Sequence, residues 1–373
     1  MAIPESNGKT LLITGINGYI ASVLADHLLK KGYSIRGTTR RIASTEPLLR
    51  GPWAPYQERI KIYEVPDMTI NGAFDESSKG KFNPTRVHGI FHTASPIDFT
   101  LTTYEATVIP AIQGSLTLLT SALHAGPQLT SVVLTSSCSA INDIPPTPTH
   151  TFTEADFAYT ALSRAESDLL THTPTPPRTL YSASKTASER AVWKFREEKH
   201  PPFAITTINP TTVIGPPLLL PPSPEKLNET LRPLYALLSG ELTTLPPTIG
   251  SGSFVDVRDV ADMHVWAYEH AARADGERYI ACCGFGPPQA QADILRMYFV
   301  DRKPEMLERI PRGETGVGYE GWDGEKGGLK AKVEYTRDRY RFSGGKAERE
   351  MGVRYRGLEE SCIDTAETLG EWL

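Results

Sequence analysis

Tyr181 and Lys185 stand four residues apart in the run Tyr181-Ser182-Ala183-Ser184-Lys185. On a helix that spacing places a phenol and an ammonium on one face. A lysine cation close to a tyrosine lowers the phenol's pKa from about 10 and favours proton transfer near neutrality. The pattern arises often by chance, so its weight depends on the surroundings. Ser136-Ser137 closes the apolar run Ser131–Thr135, which reads as a strand. A hydroxyl at such a strand end lies near the crevice where open α/β sheets bind ligands.

A second constellation is suited to an anion. Thr14-Gly15-Ile16-Asn17-Gly18-Tyr19-Ile20-Ala21 lies between a strand-like run and a helical pattern. Gly15 would allow the tight turn out of the strand, and Gly18 would let the backbone approach a pyrophosphate. Ala21 would keep the helix close to the sheet. The helix start then offers free N–H groups and a positive dipole.

The end of the next strand reports on the ligand. NAD enzymes usually place Asp or Glu there, on the ribose hydroxyls. Here the residues are Thr38-Thr39-Arg40-Arg41, and the nearest downstream carboxylate is Glu46. Two guanidinium groups in place of an acid suit a 2′-phosphate, which favours NADPH over NADH. A solvated basic turn is the plainer alternative. Asp67 either hydrogen-bonds the adenine amino group or caps a turn. Thr93-Ala94-Ser95 are small enough for the phosphate and ribose of a dinucleotide to lie against their strand end. His92, just before them, reads as a packed histidine.

These residues need a scaffold. Strand-like runs occur at Leu11–Thr14, Ser34–Thr39, 60–65, 89–93, Ser131–Thr135, 204–209 and Arg278–Ala281. Helical spacing occupies 18–31, 106–125, 182–199 and 358–372. Strand–helix alternation of this kind implies an α/β fold with a doubly wound parallel sheet of about seven strands. Three stretches interrupt it: Pro/Thr-rich loops at 145–153 and 171–177, and a Pro-rich excursion at 216–224. The stretch 313–328 holds seven glycines and reads as a mobile loop or wide turn. Arg258-Asp259 reads as an ion pair at a helix start, and Cys282-Cys283 as the end of a buried strand.

Composition excludes several classes. The 373 residues are 39% hydrophobic and 22% charged, an ordinary globular mix with ample material for a core. A net charge of −5 argues against nucleic-acid binding through bulk basic charge. Four cysteines without a C-x-x-C pair form neither a disulfide framework nor a structural zinc site, and no metal is expected. The N-terminus has no signal-peptide pattern, and no stretch reads as the roughly 18 apolar residues of a membrane helix. The expected location is the cytoplasm.

Taken together, the chain resembles the extended short-chain dehydrogenase/reductase superfamily. Within it, it is most similar to the branch of dihydroflavonol reductases, cinnamoyl-CoA reductases and yeast-type methylglyoxal or ketone reductases. The resemblance is carried by Thr14–Ala21, Arg40, 91–96, 134–137, Tyr181–Lys185, 209–216 and 254–261. It implies a Rossmann-type domain from 1–210 plus about 253–284. It also implies a smaller substrate-binding lobe from about 211–252 plus 285–373.

The resemblance further implies a triad in which Ser137 bonds a substrate carbonyl oxygen and Tyr181 donates the proton. Lys185 would bond the nicotinamide ribose and tune Tyr181. Ser137 is chosen over Ser136 as the second of the pair, because neighbours on a strand alternate faces. NADP(H) contacts would come from Gly15, Asn17, Gly18, Tyr19, Ile20, Arg40, Asp67, Thr93, Ala94, Ser95, Pro210 and Val213. Pro96, Cys138, Ser139 and Phe254 are candidates for the substrate side, and Phe99 and 218–220 for an apolar wall. Where the branch usually has a small aliphatic residue after the catalytic serine, this chain has Cys138, followed by Ser139. Their thiol and hydroxyl either face the substrate or pack.

The activity implied is NADPH-dependent reduction of an apolar, aromatic or polyketide-like carbonyl, or oxidation of the corresponding alcohol. The partners are small molecules, with no membrane and no nucleic acid, and the chain is a monomer or homodimer. Two alternatives stand beside it. A nucleotide-sugar epimerase or dehydratase is disfavoured by Ala111, where such enzymes often carry Asn. A non-catalytic NADP(H)-binding regulator often lacks the Tyr/Lys pair kept here.

Overall fold

Seven strands form one sheet in the computed structural model, which describes residues 3–79, 86–324 and 328–373. The strands are β1 (Thr10–Thr14), β2 (Ser34–Thr39), β3 (Ile60–Glu64), β4 (Gly89–His92), β5 (Ser131–Thr135), β6 (Ala204–Pro210) and β7 (Arg278–Ala281). Their order is β3-β2-β1-β4-β5-β6-β7. Pairing is parallel from β3 through to β6. The order reverses between β1 and β4, which is the switch point where such sheets leave a crevice.

Register aligns the strand ends. Thr14 pairs with Thr38 on one side and His92 on the other. His92 pairs with Leu134, and Thr135 pairs with Ile208. The residues that follow each strand therefore emerge along one edge: Gly15, Arg40, Thr93, Ser136 and Ser137.

Helices supply the cover. α1 (Tyr19–Lys30) buries Val23, Leu24, Leu28 and Leu29 along one stripe. α2 is Tyr104–Leu123, α3 is Tyr159–Leu170 and α4 is Pro177–Lys199. Leu118 and Leu119 of α2 and Val192 and Phe195 of α4 join Leu12, Ile90, Val132 and Ile205 of the sheet in one apolar cluster. Each such side chain contributes on the order of 1.5–3 kcal/mol by leaving water. By length and composition α2 is also apolar enough to cross a membrane, contrary to the expectation from the sequence. Its apolarity has a packing cause: it lies against α4, with Ser115 and Ser188 hydrogen-bonded at 2.8 Å.

The chain divides into two compact units. The first runs to Ile144 and adds Glu154–Asn209 and Ala261–Tyr279; the second is Pro145–Thr153, Pro210–Val260 and Ile280–Leu373. In the second, strand Ser253–Asp256 lies between Thr212–Ile214, in parallel, and Gly284–Phe285, antiparallel. The expected loop at 145–153 contains a short strand, Thr151–Phe152, paired with Arg341–Phe342. Part of the glycine-rich stretch is likewise a strand. Glu320–Asp323 pairs antiparallel with Gly328–Glu334 across a register irregularity at Gly321, whose φ is +105°; residues 325–327 lie outside the described ones.

Arg258 and Asp259 do not pair with each other. Adjacent helix residues point in different directions. Arg258 instead holds Asp256 at 2.8 Å and Asp364 at 2.6 Å. Asp259 binds Arg356, whose backbone N–H also donates to it at 2.8 Å. Asp364 belongs to the last helix, α5 (Leu358–Leu369), which buries Leu358, Ser361, Cys362, Thr365 and Leu369.

Candidate active site

α4 begins at Pro177, whose fixed φ and missing N–H suit the first helical position. Leu180, Ala183 and Ala187 face Val108, Leu162 and Ala165 in an apolar cluster. That packing fixes the rotation of the helix. It leaves Tyr181 half-buried and Lys185 buried. The Lys185 Nζ lies 5.8 Å from the centre of the Tyr181 ring and donates to Ser95 Oγ at 3.1 Å.

The two serines after β5 take different partners. The Ser136 hydroxyl donates to Glu189 of α4. The Ser137 side chain accepts from the Ser139 N–H at 3.0 Å and acts on the proton affinity of Tyr181. Ser137, Tyr181 and Lys185 thus belong to one cluster within the first unit. Phe99, on the loop after β4, sets its ring 5.4 Å from that of Tyr181.

Burial dominates the proton affinities. Burial pushes the Tyr181 phenol up to about 12, with the nearby Ser137 hydroxyl acting in the opposite sense. This corrects the lowering expected from the lysine: the cost of an anion out of water outweighs the help of its neighbours. Burial pulls the Lys185 ammonium down to about 8, opposed by the charge of Glu189. At pH 7 the phenol therefore keeps its proton and the lysine is mostly charged. His92 is pushed down to about 3 by burial and by the charge of Lys185, and it bonds Thr14 Oγ1 at 2.9 Å. A neutral, packed imidazole of this kind is not an acid.

The strand ends at the switch point are tied together. Ala94 N–H donates to Thr14 Oγ1 at 3.0 Å, and the Thr93 hydroxyl donates to the Thr14 carbonyl. Gly15 has φ +64°, and a Cβ there would stand 3.2 Å from Ala94 Cα. The turn closes through Gly18 N–H to the Gly15 carbonyl at 2.8 Å. Gly18 caps α1 without a side chain, and no acid lies in the first turn, where Tyr19 and Ile20 sit half-buried. An uncapped, acid-free helix start above a close-packed glycine turn fits the pyrophosphate of a dinucleotide.

Asn17 joins this turn to the end of β2. Its Oδ1 accepts from Thr39 Oγ1 at 3.1 Å and its Nδ2 donates to Ser44 Oγ at 3.2 Å. Arg40 and Arg41 are both exposed there. Asp67 is exposed and accepts from the Thr69 N–H and hydroxyl at 2.8 and 2.7 Å, a turn-capping arrangement. Pro96 and Ser139 are half-buried, and Cys138 is buried. Pro210, Val213 and Phe254 belong to the second unit, where all three are buried.

Sequence reasoning passed over Glu189. Its side chain is 1% exposed and is paired with Arg278 of β7 at 2.5 Å. The available signal was the spacing: Tyr181, Lys185 and Glu189 recur every four residues on one helix.

The family described as NAD dependent epimerase/dehydratase matches residues 11–282. A cinnamoyl-CoA reductase of Medicago truncatula is 36% identical over 71% of this chain and 74% of its own. An NADPH-dependent methylglyoxal reductase of Saccharomyces cerevisiae is 28% identical over 97% of this chain and 98% of its own. Among solved structures, the yeast methylglyoxal/isovaleraldehyde reductase complexed with NADPH superposes with a TM-score of 0.79 at 26% identity. The match covers 97% of this chain and 98% of that one.

Proposed function

The chain belongs to the NAD dependent epimerase/dehydratase family, and from that premise we propose a carbonyl reductase that works through Ser137, Tyr181 and Lys185. It is an NADPH-dependent oxidoreductase acting on carbonyl and alcohol groups. The observation that carries the mechanism is the Lys185 ammonium 5.8 Å from the centre of the Tyr181 ring, on a helix that brings a phenol still protonated at pH 7 to the end of β5, where Ser137 stands.

NADPH supplies the hydride. Ser137 donates a hydrogen bond to the substrate carbonyl oxygen and polarises it. Tyr181 delivers its proton to that oxygen as negative charge develops there. The positive charge of Lys185 offsets the phenolate that remains. The turn Gly15–Gly18 and the first turn of α1, with Tyr19 and Ile20, would hold the pyrophosphate. Thr93, Ala94 and Ser95 would line more of the cofactor, Asp67 the adenine end, and Asn17 would brace the turn. Pro96, Cys138 and Ser139 would meet the substrate. Phe99 beside Tyr181 and exposed Ile97 favour an apolar or aromatic carbonyl.

The test is NADPH consumption against α-dicarbonyls, aryl ketones, β-keto esters, cinnamaldehydes and dihydroflavonols. Turnover is expected with the apolar members. A panel without turnover, in protein that binds NADPH tightly, speaks for a non-catalytic regulator. The rate carries a pH signature. Raising the pH through about 8 removes the Lys185 proton, so kcat for reduction declines on the alkaline side and is level below it. A rate still rising at pH 9 contradicts the role given to Lys185.

Arg40 and Arg41 are read as the 2′-phosphate clamp. Replacing both by Ala is expected to lower the NADPH/NADH ratio of kcat/KM by about 10–100-fold, the effect of losing a charge-assisted phosphate contact. An unchanged ratio removes them from that role.

A further inference from the structure

Among the described residues, Glu189 gathers five side-chain donors, one of them the Thr207 hydroxyl, 3.4 Å from its Oε1. Its Oε1 accepts from Arg278 Nε at 2.5 Å and Trp193 Nε1 at 3.2 Å. Its Oε2 accepts from Asn209 Nδ2 at 2.7 Å and from the Ser136 hydroxyl. The same Asn209 nitrogen donates to the Ser137 carbonyl at 3.2 Å. One carboxylate therefore fixes the exit of β5 twice, through Ser136 directly and through Asn209 to the backbone of Ser137. Arg278 is itself held by the carbonyls of Glu154 and Asp156, at 2.5 and 2.7 Å, and lies 3.8 Å from the centre of the Phe157 ring.

A buried ion pair adds little net stability over well-packed apolar residues. The function of this one is better sought in geometry, since two of its neutral donors, Ser136 and Asn209, come from the strand ends beside the triad. Glu189 also shares the lining of a small cavity with Lys185, Ser95, Ser136 and His92, and with the apolar Leu134 and Val192. We propose that Glu189 is a positioning residue for carbonyl reduction, which orients Ser137 through Ser136 and Asn209 and holds negative charge across the cavity from the Lys185 ammonium. The titratable and charged groups around Lys185 are Tyr181 and Glu189 on its own helix, His92 on β4 and Arg278 behind Glu189, with the Cys138 thiol acting on Tyr181. Of these, Glu189 opposes the burial that pulls Lys185 down. The inference rests on the triad reading above.

The test uses the full-length enzyme with NADPH. Glu189→Gln alone would strand Arg278, so the charge is removed with its partner in Glu189→Gln/Arg278→Gln. Expected are NADPH affinity within about twofold, kcat lower by about tenfold, and an alkaline limb moved by about one unit to lower pH. Glu189→Asp keeps the charge, so its limb stays where the wild type has it although kcat falls. Asn209→Ser leaves the ion pair whole and reads the positioning alone: kcat falls by about tenfold while KM changes less than about threefold. It also carries the test where the double variant does not fold. An unmoved limb in the folded double variant, or wild-type kcat in Asn209→Ser, overturns the proposal. Tyr181→Phe separates the levels: turnover surviving there overturns the triad and this inference together. Turnover lost there but normal in the Glu189 and Asn209 variants overturns this inference alone.

Discussion

Tyr181→Phe lowers carbonyl reduction by about 10²–10⁴-fold at pH 7, the usual contribution of a positioned proton donor. The change is confined to one oxygen. The ring keeps its contact with Phe99 and the helix keeps its apolar face against Val108 and Leu162. Folding and NADPH affinity are therefore expected within error of the wild type. Fluorescence titration measures the affinity, and loss of NADPH absorbance measures the rate. A variant that keeps more than about a tenth of the rate would move the proton donor elsewhere, since losses that small fall below the range for general acids.

Gly15→Val acts on the other half of the site. Valine at φ +64° costs about 1–2 kcal/mol in backbone strain alone. Its Cβ would also press on Ala94 Cα and Cβ, each 3.2 Å away. Strand β1 and the loop after β4 would have to separate where the pyrophosphate is expected to lie. NADPH affinity is expected to fall about 100-fold or more, equivalent to roughly 2.7 kcal/mol, with a lower melting temperature. Wild-type affinity in the folded variant would show that the dinucleotide does not cross this turn.

Much of this was legible in the sequence because local rules suffice. Buried parallel strands read as short apolar runs, as β1, β4 and β5 do. Tyr181 and Lys185 are one helical turn apart, so their shared face follows from spacing. What escaped depends on distant partners. Glu189 meets Arg278 across 89 positions, and no local pattern joins them. Asp259 finds Arg356 across 97, while the tempting neighbour Arg258 points elsewhere. The Tyr181 phenol was misjudged because spacing reports the nearby cation and not the burial that outweighs it. The strand Glu320–Asp323 was hidden because glycine, at Gly321, serves an irregular pairing there as readily as a loop.

The second unit is assembled from three separate stretches, and its internal partners are made at very different times. Asp256 accepts from the Ser361 hydroxyl, 105 residues further on, and Arg258 reaches Asp364, 106 residues away. The N–H of Gly215 waits 150 residues for Thr365 Oγ1. A chain leaving the ribosome has every strand of the large sheet in hand by Ala281. It cannot close its smaller unit until α5 has been made. A transcript cut short just before Leu358 would therefore yield a protein whose cofactor-side sheet can form, while Asp256 and Gly215 are left without the partners that α5 brings.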